Sequence, residues 1–163
     1  MKKNIILFLI LTIFFNNCSN NSIDKTIQKI NNSDLSNING LTIYFRSAGQ
    51  TRNSNIYFVN SFGVNCSPYI VEVNMSNLEI IKIKNNLVLE SCHEDYLDMT
   101  TIEKAIADYL ALKVCLIKVD SVGNVYINPT QQEQPTMLRK SKGYSPKDIE
   151  QFEYYKGDWY IRK

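Results

Sequence analysis

Residues 100–119 read TTIEKAIADYLALKVCLIKV, and the change of period inside this stretch decides the fold. Thr100, Thr101, Ile102 and Glu103 form a capping box, in which the Thr100 hydroxyl accepts from the Glu103 amide and the Glu103 carboxylate reaches back to the Thr100 amide. Behind it Ile102, Ala105, Ile106, Tyr109 and Leu110 recur at i, i+3, i+4, i+7 and i+8, with Glu103, Lys104 and Asp108 on the other side. This spacing predicts a helix over about 100–113 whose apolar stripe packs on a sheet. The following VCLIKV alternates instead, so Cys115, Ile117 and Val119 share one face of a strand.

Upstream, the period is already two. LTIYFR (41–46), NIYFVN (55–60), YIVEVN (69–74) and LEIIKIK (78–84) are rich in β-branched and aromatic residues and read as four strands. The brief MSN link makes the last two a hairpin. Downstream, KVCLIKV and NVYIN flank Asp120-Ser121-Val122-Gly123-Asn124, a hairpin loop with a glycine free to take a positive φ. TMLRKS is a further short strand. Ser145-Pro146 reads as an N-cap and first helical residue, predicting a short helix over 146–151 with Asp148 at its positive end. The chain closes with a hairpin in FEYYKGDWYIRK, turning at Lys156-Gly157-Asp158. Strands grouped around one strong helix predict the α+β class: an antiparallel α+β sandwich, mostly sheet, with one main helix packed on it.

The N-terminus carries a different message. MKKNIILFLILTIFFNN (1–17) has two lysines, an apolar run and a return to polar residues, the order of an export signal. The run from Ile5 to Phe15 gives roughly 16 Å of helix, about half of a bilayer core. It offers no A-x-A site before its end, but FFNNCSN offers Cys18. In this the segment resembles a bacterial lipoprotein signal, departing from the usual lipobox in having Phe15 and Asn17 where Leu and a small residue are preferred. The resemblance covers the signal alone. It implies cleavage before Cys18, lipidation of Cys18 by fatty acyl chains such as palmitate, and stable anchoring at a membrane. The alternative is a plain thiol behind a signal cut elsewhere or retained. The expected organisation is a signal peptide at 1–17, a polar tether at 18–40 and one α+β domain at 41–163. Ile23, Ile27 and Ile30 mark a short helix inside the tether.

The chain has 18 Lys+Arg against 16 Asp+Glu, and the excess leaves with Lys2 and Lys3 of the signal. A nucleic-acid partner would need a basic footprint, so that class is set aside. If lipidation consumes Cys18, then Cys66, Cys92 and Cys115 remain. The exported compartment permits a disulfide, and Cys66 with Cys92, both in turn-like or polar loops, is the expected pair, against the alternative of three unpaired thiols. Cys115 reads as a buried free thiol.

Chemistry is sparsely marked. Cys92-His93-Glu94-Asp95 with Asp98 is the densest set of ligands and bases, but adjacent residues rarely turn toward one metal centre. The plain reading is a solvated acidic loop with Asp98 near the helix start. No metal, cofactor or catalytic residue is assigned. G-x-S-x-G, phosphate-loop and dinucleotide motifs are all missing. The aromatic C-terminus, with Tyr155, Tyr160 and Arg162 as the candidate binding surface, is of the composition that anchors interfaces. Alternation alone would turn Trp159 and Ile161 to the core and Tyr160 and Arg162 outward. The expected function is a membrane-anchored cell-envelope lipoprotein acting as a non-catalytic binding or inhibitory module, its partners the membrane and an envelope or secreted protein. It would sit at the outer membrane of a two-membrane source and otherwise at the cell membrane. The alternatives are an envelope assembly accessory and a hydrolase with unmarked acids.

Overall fold

The computed structural model describes residues 22–64, 66–85 and 96–163. Two compact units divide the chain, one up to Ser33 and one from Asp34 to Lys163. In the first, helix α1 runs through residues 22–31, the short helix predicted from Ile23, Ile27 and Ile30. Its hydroxyls bond back along the helix, Thr26 Oγ1 donating to Ser22 O at 3.1 Å and Ser33 Oγ to Lys29 O at 2.7 Å. Among the described residues no helix is long and apolar enough to cross a membrane.

The second unit is one antiparallel sheet with a helix, the α+β class predicted. Its strands are β1 (Leu41–Ala48), β2 (Ser54–Ser61), β3 (Tyr69–Asn74), β4 (Ile80–Asn85), β5 (Leu116–Val119), β6 (Val125–Asn128), β7 (Met137–Arg139), β8 (Phe152–Lys156) and β9 (Trp159–Arg162). Among the described residues the order is β4-β3-β2-β1-β5-β6-β7-β9-β8. The first four strands meander outward to an edge; helix α2 (Met99–Leu112) then returns the chain to the other side of β1. The C-terminal hairpin enters through β9, leaving β8 at the far edge.

Helix α2 begins earlier than the capping box implied. Its N-cap is Asp98, whose Oδ1 accepts from the Thr101 amide at 2.8 Å and whose Oδ2 accepts from the Thr101 hydroxyl at 2.6 Å. A carboxylate offers two acceptors here, and Thr101 supplies two donors; Thr100 is already helical. Four members of the stripe behave as their spacing requires, Ile102, Ala105, Ile106 and Tyr109 being buried; Leu110 is only partly buried, and Leu112 completes the buried set. Each large apolar member contributes about 1.5–3 kcal/mol by leaving water.

Residues directly opposite in the ladder share a face. Tyr57 meets Tyr109 of α2 edge to face at 5.5 Å, which marks the face on which the helix packs. Its register partners carry that face across the sheet, from Val71 and Val59 through Ile43 and Ile117 to Ile127 and Met137. None of these is more than 4% exposed. The Tyr109 hydroxyl donates to Cys115 O at 3.0 Å, tying the helix end to the start of β5.

The opposite face is open over part of its area. Tyr44, Phe58 and Ile70 are half-buried there, with the Tyr44 and Phe58 rings edge to face at 5.4 Å. At its far end Tyr126, Leu138 and Phe152 form a small second core, packed by Ile149 and Tyr160. The strap between β7 and β8 covers this core. Within it the predicted 146–151 helix shrinks to a 3₁₀ turn at Ile149–Gln151, and Ser145 is not its cap. The Asp148 side chain accepts no capping bond; its carboxylate accepts from the Tyr126 hydroxyl instead, so the strap is held to the sheet rather than wound on itself.

Two loops show why their residues are where they are. Glu72 Oε1 accepts from Ser54 Oγ at 2.6 Å and from the Gln50 and Thr51 amides at 3.0 and 3.1 Å, pinning the β1–β2 loop. A Cβ on Gly49 would collide with Ser54 Oγ and lie 2.7 Å from that carboxylate oxygen, so only glycine fits. In the β5–β6 loop Asp120 Oδ1 accepts from the Val122 and Asn124 amides and Oδ2 from Asn124 Nδ2, with Gly123 at φ 87 as predicted.

Candidate functional site

The open face of the sheet holds a cleft of 360 Å³ between the β2–β3 turn, the β5–β6 loop and the strap. Its volume falls within the range of small-molecule sites, about 300–1,000 Å³. The floor comes from one register pair, Lys118 on β5 and Tyr126 on β6. Alternation sends Ile117 to the helix face and therefore Lys118 to this one. Phe62, beyond the end of β2, stacks on Tyr126 with centroids 6.2 Å apart and planes 18° apart. Its amide is fixed by Gly40 O at 2.7 Å while its side chain stays 37% exposed. From the strap, Tyr144, Lys147 and Asp148 form the other wall.

The charges are not equivalent. Asp120 is nearly buried and both its oxygens are committed to its own loop. Asp148 accepts the Tyr126 hydroxyl at 2.9 Å through Oδ1. Burial, reinforced by that hydrogen bond and by the carboxylate's charge, drives the Tyr126 phenol well above its ordinary pKa, so it stays a donor at any physiological pH. Arg162 is held at the rim: Nη2 donates to Gln151 Oε1 at 2.8 Å, Nη1 donates to Pro135 O at 3.4 Å, and Cζ lies 5.6 Å from the Phe152 ring centre. Lys118 has no such partner. Among the described residues its half-buried ammonium makes no hydrogen bond and no ion pair; burial lowers its pKa, offset in part by the negative charge of Asp148.

Of the residues singled out from sequence, Arg162 lines this cleft. Tyr160 lies on the same face but packs against the Tyr126, Leu138 and Phe152 cluster, with its ring 5.8 Å from that of Tyr154. The expectation that Tyr160 and Arg162 point outward is therefore corrected: alternation puts them opposite the buried Trp159, but this second face has its own core and both are half-buried. Tyr155 sits at the irregular pairing between Tyr154 and Lys156, under the Lys156 ammonium, and is not part of the cleft. Cys66 is disulfide-bonded. Cys115 is a free thiol as predicted, though half-buried rather than buried. It lies beside a separate apolar groove of 240 Å³ formed with Phe45, Tyr57 and the end of α2. Cys18, Cys92 and His93 lie outside the described residues. Among the described residues no three His, Cys, Asp or Glu side chains are grouped to hold a metal ion.

Sequence reading missed Phe62, Lys118, Tyr126 and Asp148 as site residues. The available signal was Lys118 itself, the one charge in an otherwise apolar strand, on the register opposite Ile117 and Val119. Comparison with known proteins finds no family model, no curated protein and no solved structure that matches this chain.

Proposed function

We propose that this chain is a lipid-anchored, non-catalytic binding module of the cell envelope, held by acylated Cys18 and recognising its ligand through the open-face cleft. The observation that carries the binding reading is Lys118, a half-buried cation without an ion pair among the described residues, in an aromatic-walled recess. Partial burial disfavours the charged form of such a group, as its lowered pKa shows. A ligand bearing the opposite charge supplies the partner. The disulfide at Cys66 supports an exported, oxidising location; with Cys115 free and Cys18 acylated, its partner in this reading is Cys92.

The hydrolase alternative has one observation in its favour, because Asp120 and Asp148 both line the cleft. A carboxylate pair acting as acid and base needs oxygens free for substrate and water. Asp120 has neither oxygen free, which favours binding. The anchor is tested by the intact mass of the detergent-extracted native protein beside Cys18→Ser. A mass increased by acyl chains and lost in the variant is expected; an unmodified mass in both overturns the anchor and leaves the cleft reading to its own test.

A further inference from the structure

We infer that the cleft takes one carboxylate-bearing sugar unit, with the ligand carboxylate on Lys118, ring hydroxyls donating to Asp148, and the C–H face of the ring against Phe62. The inference rests on the binding reading above and not on the lipid anchor.

The charge requirement comes first. Three cations line the cleft, but Arg162 is already donating to Pro135 O and Gln151 Oε1, and Lys147 is solvent-exposed on the strap. One half-buried ammonium, Lys118, is left to be matched. A single ammonium with Asp148 nearby suits a monoanion; a second negative charge would face that carboxylate. A phosphate dianion would want a bidentate guanidinium or converging backbone amides, and Arg162 is engaged elsewhere.

Hydroxyls are called for next. Asp148 uses Oδ1 for Tyr126, and Oδ2 makes no hydrogen bond among the described residues. An ionised carboxylate accepts only, so the ligand group beside it must donate. A flat hydrocarbon acid would leave that oxygen without a partner. The walls supply the rest: Phe62, backed by the buried Tyr126 on which it stacks, and Tyr144 of the strap are the exposed rings of the cleft, apolar surfaces of the kind on which a six-membered sugar ring packs its C–H bonds. Phe62 and Tyr144 remain 37% and 43% exposed, so the surface is open to an incoming ring.

Saturation-transfer NMR on the full chain in detergent tests this with three probes at about 10 mM, in the range of a weak single-ring ligand: D-glucuronate, D-glucose and benzoate. The expected result is a signal from glucuronate, at least about tenfold weaker binding of glucose and of benzoate, and loss of the glucuronate signal in Lys118→Met with the fold intact by circular dichroism. Glucose binding as well as glucuronate overturns the charge requirement, and so does glucuronate binding that survives Lys118→Met. Benzoate binding through Lys118 without glucuronate overturns the sugar assignment while leaving the cleft a binding site. Failure of all three overturns the sugar assignment and removes the support for the cleft.

Discussion

Ile117 and Lys118 are neighbours on β5 and belong to different worlds. Ile117 has no solvent exposure and sits on the face where α2 packs, among Ile43, Ile127 and Val59. Lys118 sits on the other face, half-buried, beside Tyr126 and without an ion pair among the described residues. The same backbone therefore serves two purposes. One face is apolar nearly throughout, the arrangement that lowers free energy most. The other mixes half-buried aromatics with an unmatched cation and a hydroxyl-carboxylate pair, an arrangement that folding alone would not favour. Where a sheet departs from the stabilising pattern on one face only, that face is the place to look for recognition.

The sharpest way to break the contrast is to damage the closed face. Tyr109→Ala removes the ring packed on Tyr57 and the hydroxyl donated to Cys115 O, and should cost about 4 kcal/mol in urea unfolding. Tyr44→Ala on the open face should cost much less, since that ring is only partly buried.

Acid comes next. Hydrogen bonds from Ser54 and then from the Thr51 amide hold the Glu72 carboxyl below the ordinary glutamate range. A carboxylate depressed in the folded state stabilises fully above its unfolded pKa, about 4.3. That contribution shrinks as pH falls through the folded value, because the unfolded chain then binds the proton first. The melting temperature of the parent chain should fall on this acid limb, and Glu72→Gln should flatten it.

A smaller effect distinguishes the two possible starts of α2. Asp98→Ala should lower the melting midpoint, whereas Thr100→Ala should leave it nearly unchanged, because it is the Asp98 carboxylate that accepts from the Thr101 amide and hydroxyl. The smallest expected effect has the opposite sign. Lys118→Met keeps the apolar stem and removes the unmatched charge, and should stabilise by about 0.5 kcal/mol.

Much of the architecture was legible because it is local. The alternation of residues 41–46, 55–60 and 69–74 and the stripe from Ile102 to Tyr109 each specify an element within a few residues. The start of α2 was misread because Asp98 and Thr100 are both good caps, and only the position of Thr101 decides between them. The 146–151 helix failed for a non-local reason: the Asp148 carboxylate meets Tyr126, more than twenty residues earlier, and that contact is not visible in SPKD. The insertion of β9 between β7 and β8 is likewise a matter of pairing between distant segments. The cleft lay furthest from reach. Arg162 was singled out for its aromatic company, but Phe62, Lys118, Tyr126 and Asp148 come together only after the sheet has ordered its strands.

Urea unfolding of Ile117→Ala and Lys118→Met, beside the parent chain, tests the division between the two faces most directly. Ile117→Ala should lose about 3 kcal/mol, while Lys118→Met holds or exceeds the parent stability. A Lys118→Met chain that unfolds as readily as Ile117→Ala would make Lys118 a structural residue, and the open face would then be a second core and not a site.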